Sequence, residues 1–116
     1  MRIITLLFLF ISSSVFASFQ MNENMQKTYI HIINLEFDKA NELLRAEQTD
    51  NSTNRIIILQ ENYIDFLTII IGEDEAFFTA VKNKKSDRID FLQTGDESSP
   101  YYLYAQAEVH LQWAFA

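Results

Sequence analysis

The chain has 116 residues, 48% of them hydrophobic and 22% charged, with a formal net charge of −7, no cysteine, two glycines and one proline. Such acidity excludes a nucleic-acid groove, which needs basic residues to replace counterions around phosphate, and it disfavours docking on an anionic membrane face. Few glycines and prolines argue against a β-sandwich, whose turns consume both, and a chain without cysteine has no disulfide framework; the composition points to helices.

Residues 1–17, MRIITLLFLFISSSVFA, have the form of an export leader. Arg2 supplies the positive start, and Ile3 to Ile11 form an apolar run about half as long as a bilayer-spanning helix needs. Ser12 to Ala17 then shrink toward a cleavage site, with Val15 and Ala17 at the −3 and −1 positions of a cut before Ser18. The chain is therefore expected to be exported, to the periplasm or beyond, and bacterial. Cleavage leaves residues 18–116, enough for one small domain. Losing Arg2 leaves eight Lys and Arg against sixteen Asp and Glu, a charge of −8. No cysteine follows the cut to carry lipid, so no stable membrane insertion is expected once the leader is gone.

Asn22 to Gln48 is the first periodic block. Met25, Tyr29, Ile32, Ile33, Leu35, Phe37, Ala40, Leu43 and Leu44 recur at three- and four-residue spacing. The phase slips between Asn34 and Glu36, where two helices meet at a tight turn. TDNSTN, residues 49–54, ends the block with cap and turn formers. Arg55 to Ile71 follows, with Ile56, Leu59, Tyr63, Phe66, Leu67 and Ile70 as its apolar stripe and Gln60, Glu61, Asn62 and Asp65 as polar interruptions. Its β-branched runs favour strand, but the spacing of the aromatics favours helix, with Gly72 as a left-handed cap.

Glu73, Asp74 and Glu75 start a third helix, where acids complement the dipole. Ala76, Phe77, Ala80 and Val81 form its buried side. The helix either runs on to Leu92 or breaks near Ser86, and continuity is the preferred expectation. TGDESSP, residues 94–100, is the strongest punctuation in the chain. Tyr101 to Ala116 reads as a last helix, with Pro100 in its first turn and Ser99 or Ser98 as cap. Leu103, Ala107, His110, Leu111, Ala114 and Phe115 form its stripe, which predicts either a partner over Trp113 and Phe115 or a longer natural protein.

The segment LEFDKANELLRAEQTDNSTN, residues 35–54, resembles the second helix of a tetratricopeptide repeat, a family of helix–turn–helix units of about 34 residues. Phe37 and Ala40 stand at the aromatic and alanine positions, and Leu44 at a large-residue position. Ser52 and Asn54 replace the closing proline-and-asparagine turn, while Thr28 and His31 fall where the family prefers a small residue and an aromatic. YYLYAQAEVHLQWAFA, residues 101–116, is similar to a first helix, with Ala107 admitting close approach, and to segments of exported helical-repeat proteins of Bacteroidetes-type bacteria. The resemblance implies an all-α fold of antiparallel helical hairpins stacked as a right-handed superhelix, about four helices after the leader. It also implies a scaffold that binds protein or peptide without chemistry of its own.

No catalytic, cofactor or metal site is expected. His31 and His110 are the only histidines, and no pair sits at metal-ligating spacing. Glu73, Asp74 and Glu75 lack the alternating oxygen ligands of a calcium loop. The crowded aromatics leave a candidate partner surface of Tyr101, Tyr102, Tyr104, His110 and Trp113. Two further readings remain: the helical front of a periplasmic enzyme whose catalytic residues lie beyond Ala116, and a small bundle dimerising through Trp113 and Phe115. The shared stripe of Phe37 and Leu44 makes a stability prediction. Alanine at either position should cost about 2–5 kcal/mol in thermal melts followed by circular dichroism, whereas replacing Glu61 should do little; a loss below about 0.5 kcal/mol at both would remove them from the core.

Overall fold

Asn22 opens the first helix by accepting the Met25 backbone N–H on its side-chain oxygen at 2.9 Å, satisfying one of the four donors that a helix start leaves free. The structure, a computed structural model, describes residues 18–116; the leader read from residues 1–17 lies outside them. Six helices follow in order: α1 (Glu23–Ile33), α2 (Phe37–Asp50), α3 (Ile56–Gly72), α4 (Glu75–Val81), α5 (Lys84–Gln93) and α6 (Tyr101–Phe115). None of them is long and apolar enough to cross a membrane.

The turn between α1 and α2 falls where the periodicity slips. Leu35 takes φ 61°, its N–H donates to the Ile32 carbonyl at 2.9 Å, and the Glu36 N–H donates to that of His31 at 2.8 Å. This paired pattern is a Schellman stop, which ordinarily places glycine at the left-handed residue. Leucine there is held in an unfavourable backbone region by the hairpin it closes. At the end of α3 the left-handed residue is Glu73 (φ 47°), one position beyond the expected Gly72. Asp74 then caps α4, accepting the Phe77 N–H at 3.0 Å. The three acids thus divide between a stop and a start.

The described residues form six helices, not about four. The first block makes two helices, as its phase slip predicts. The expected continuous helix from Glu73 to Leu92 divides at Lys82 and Asn83, a turn before Ser86. Lys82 to Asp87 has no apolar face to bury, so nothing holds the backbone to one axis there. The break keeps Val81 buried and still turns Arg88 and Ile89 inward.

α3 is the central element and touches α1, α2, α4 and α6, while α5 lies along α6. The core gathers Met25, Ile32, Ala40, Leu44, Ile56, Leu59, Leu92 and Val109, with Phe19 from the segment before α1. Two expected stripes are rotated. In α3 the buried set includes Gln60, Asn62 and Asp65, whereas Ile70 is exposed. In α6 the buried residues are Ala105, Val109 and Gln112. Leu103, Leu111 and Phe115 are 72%, 52% and 70% exposed, and Ala107 and His110 also face outward. The reason is hydrogen bonding: the inward face of α6 carries the groups that satisfy the buried amide of Asn62. In α1, Tyr29 and Ile33 likewise lie outside and Thr28 inside.

The first two helices are tied to the start of α3 by one carboxylate. Glu47 is buried and accepts side-chain N–H groups from Asn22 at 2.7 Å, Asn24 at 3.2 Å, Asn54 at 2.9 Å and Asn51 at 3.2 Å. Asn54 also donates to the Gln20 carbonyl and accepts from the Gln20 and Ile56 N–H groups, so it caps α3 while fastening the entering chain. Burial pushes the Glu47 carboxyl up, but the amides of Asn54, Asn22, Asn24 and Asn51 outweigh it and hold it below its ordinary value. A lowered native value means that this stability is complete above the usual carboxylate range and is lost as pH falls through the native value. Glu47→Gln turns an acceptor into a second donor facing asparagine N–H groups and should cost about 1–3 kcal/mol at pH 7. Urea unfolding should show the difference from wild type shrinking toward pH 3; an unchanged difference would place the stabilisation elsewhere.

Candidate functional site: a tyrosine-lined cleft

Between α1 and α6, with α3 as its floor, lies an open cleft of about 690 Å³. α1 contributes Tyr29 and Ile30, α3 contributes Leu59, Gln60 and Tyr63, and α6 contributes Tyr101 and Tyr104. The helical repeat explains the convergence: Tyr63 follows Leu59 by four positions, and Tyr104 follows Tyr101 by three, so each pair shares a face. The rings meet edge to face, Tyr29 with Tyr63 at 6.1 Å and 75°, and Tyr101 with Tyr104 at 6.3 Å and 73°. This geometry sets the positive edge of one ring against the negative face of another and leaves other faces open to a ligand.

The floor is polar at two points. The Tyr63 hydroxyl donates to Glu108 Oε2 at 2.8 Å; burial, then the adjacent Tyr104 and Glu108, raises its pKa, so it stays a protonated donor. Gln60 is fully buried, and its Nε2 donates to the Met25 carbonyl at 2.8 Å. A carbonyl can only accept, so that bond fixes the amide orientation. Gln60 Oε1 has no partner among the described residues, an unpaired buried acceptor of the kind that native structures seldom leave. At the mouth, Glu23 and Lys27 pair with each other at 2.9 Å across one helical turn.

Behind the cleft wall a chain of hydrogen bonds joins three helices. Arg88 is buried and donates to Asp65 Oδ2 at 2.5 Å and Asn62 Oδ1 at 2.9 Å. Asn62 Nδ2 donates to Gln112 Oε1 at 2.6 Å, and Gln112 Nε2 to Glu108 Oε2 at 3.4 Å. Glu108 accepts the Tyr63 hydroxyl, so the chain runs unbroken from α5 to the cleft. Trp113 joins it, donating its indole N–H to Asn62 Oδ1 at 2.9 Å.

The five aromatic and imidazole residues singled out from the sequence separate. Tyr101 and Tyr104 line the cleft. Tyr102 packs on the core and donates to the Gln93 carbonyl at 3.4 Å. Trp113 is half-buried against Phe78, with ring centroids 6.0 Å apart. His110 is exposed on the outer face of α6. Periodicity missed Tyr29, Gln60 and Tyr63 as cleft residues. Their signal was a hydroxyl or amide inside an otherwise aliphatic stretch, a group that must find a partner when buried.

A smaller depression of about 460 Å³ lies on the other side of α3 and includes Phe37, Glu61, Lys84 and Arg88. Burial there raises the Glu61 carboxyl above its ordinary value, against the pull of Arg88 and Lys84. Among the described residues, no three His, Cys, Asp or Glu side chains stand close enough to hold a metal ion. The cleft offers apolar walls, the rings and hydroxyls of four tyrosines and the amide of Gln60 beneath them, a set suited to binding. No family model, curated protein or solved structure matches the chain.

The polar chain generates a stability prediction. Arg88→Met removes the guanidinium from the buried Asp65 carboxylate and leaves Asn62 Oδ1 with the Trp113 indole N–H as its donor, and should cost about 3–5 kcal/mol in urea unfolding. Adding Asp65→Leu should restore much of that loss, because the cost comes from a buried carboxylate left with only the longer Lys84 contact at 3.7 Å. Recovery of less than about a quarter of the loss would show that Arg88 acts through packing.

Proposed function

We propose that this chain is an exported helical scaffold that binds a protein or peptide segment in the tyrosine-lined cleft and carries no catalysis of its own. The observation that carries the reading is the cleft: three helices converge to build a concave, aromatic, largely apolar surface with a few placed polar groups, the usual make-up of a recognition site. Tyrosines supply large contact area at low entropic cost, which suits them to partner binding.

The outer face of α6 supports association with a further protein surface. Leu103, Leu111 and Phe115 lie on it, largely exposed and spaced by four or eight residues, and a contiguous apolar stripe of that kind marks an interaction face. The tetratricopeptide-like reading is kept as the finer proposal for the architecture, with α1 and α2 as one hairpin unit. Ala40, fully buried in α2, supports it by letting the two helices approach closely. Export rests on Arg2, the Ile3–Ile11 run and the Val15–Ala17 cleavage pattern.

The binding test is selection of displayed random peptides against the protein, followed by affinity measurement on variants. Selected peptides should lose at least tenfold in affinity to both Tyr29→Ala and Tyr104→Ala, while the melting temperature changes little. Peptides indifferent to both substitutions, or no enrichment at all, would count against the cleft. Export is checked separately: the full chain expressed in a Gram-negative host should yield a periplasmic protein whose first residue is Ser18.

A further inference from the structure

We infer that the occupant of the cleft is a peptide segment presenting a lysine side chain, whose ammonium is taken between the tyrosine rings and bonded to Gln60 Oε1. This rests on the peptide-binding reading of the same cleft and adds the chemistry of the residue recognised.

Three observations carry it. The first is the unpartnered acceptor. Gln60 is fully buried, its Nε2 is committed to the Met25 carbonyl, and Oε1 has no donor among the described residues. Leaving such an oxygen unpaired costs free energy that a donor from a ligand would recover. Met21, whose sulfur lies 3.9 Å from Gln60 Nε2, stands at the cleft beside it. Oε1 is itself buried, so an incoming ammonium reaches it only if the amide and the adaptable Met21 side chain beside it shift together.

The second observation is the ring arrangement. Tyr29, Tyr63, Tyr101 and Tyr104 stand around one opening in two edge-to-face pairs. Aromatic faces attract a cation, and more strongly when it is desolvated. Their edges and the side chains of Leu59 and Ile30 suit the methylenes of a lysine stem.

The third is charge. Among the described residues that line the cleft, the one cationic side chain, Lys27, is paired with Glu23. Glu108 lies directly behind Tyr63, and the chain as a whole carries −7, so the field favours a cation. A compact ammonium fits a single amide oxygen better than a guanidinium, whose planar fork calls for two parallel acceptors.

The probes are two acetylated, amidated heptapeptides, Gly-Gly-Leu-Lys-Leu-Gly-Gly and the same sequence with norleucine for lysine. The pair differs by the ammonium alone. Each is titrated into the protein and into its Gln60→Met variant, with binding located by NMR shifts of the cleft tyrosines. The inference expects the lysine peptide to bind at least tenfold more tightly than the norleucine peptide, with the preference lost in Gln60→Met. Because Gln60 is buried, Tyr104→Phe and Tyr104→Ala serve as surface variants: the phenyl ring should keep the preference and alanine should reduce it. Equal affinities for the two peptides at the cleft would overturn the lysine inference and leave the peptide-binding reading standing. A preference that survives in folded Gln60→Met would also overturn it, since net charge alone would then account for selection. Absence of cleft shifts with either peptide, together with failure of the displayed-peptide selection, would overturn both.

Discussion

A guanidinium can be buried only where several acceptors surround it, and in this fold that requirement is met almost wholly by α3. Asp65 and Asn62 stand three positions apart on one helical face and receive both arms of Arg88. The position of α5 follows from this, because Arg88 must lie against α3 for its charge to be compensated. The position of α6 follows next: Asn62 has a donor left to place, and Gln112 accepts it. The face that α6 turns inward is thus chosen by amide chemistry over apolar area, at the cost of leaving Leu103, Leu111 and Phe115 outside. With α6 fixed in rotation, Tyr101 and Tyr104 necessarily face α1, and the cleft exists.

A second polar group, at the start of α3, uses the same device with the charges reversed. There an anion, Glu47, is satisfied by four neutral amides, with no cation among its hydrogen-bond partners. Neutral donors avoid the cost of desolvating a second charge and still fix direction, because each asparagine N–H must point at the carboxylate. Met25, Ile32, Ile56 and Leu59 belong to one apolar core, which alone would tolerate several packings. Specificity comes from the polar groups and most of the driving force from the hydrocarbon.

That division explains what was legible in the sequence. Helical class, the turn at Asn34 to Glu36, the stop at residues 49–54 and the punctuation before Tyr101 all depend on local chemistry, which a sequence displays directly. The inward face of α6 depends on Asn62, fifty positions away from Gln112, and no local pattern reports a partner at that distance. Apolar periodicity therefore selected Leu103 and Leu111 in place of Ala105 and Val109. Gln60, Asn62 and Asp65 were misplaced for the same reason, since a polar residue reads as solvent-facing until its partner is known. Half of the cleft was visible as the Tyr101 and Tyr104 cluster. The other half, Tyr29, Gln60 and Tyr63, became visible only once α1 and α3 were brought together. The break at Lys82 and Asn83 lay close to one of the two alternatives, displaced by the pull of Arg88 toward Asp65.

The segment before α1 is stitched to the loop before α6. The Ser18 carbonyl accepts the Arg55 N–H at 2.8 Å, and its hydroxyl accepts that of Asp96 at 3.1 Å. Phe19 fills the space above Gly95, where a single added methyl group would lie 2.5 Å from the ring. Most other contacts in a helical protein close early, because their partners are near in the chain. This one spans 78 positions, so its loop-closure cost is among the highest in the fold. The stitch is thus a clasp between the start of the described chain and its later loops, held by two hydrogen bonds and one ring, with few local contacts to support it.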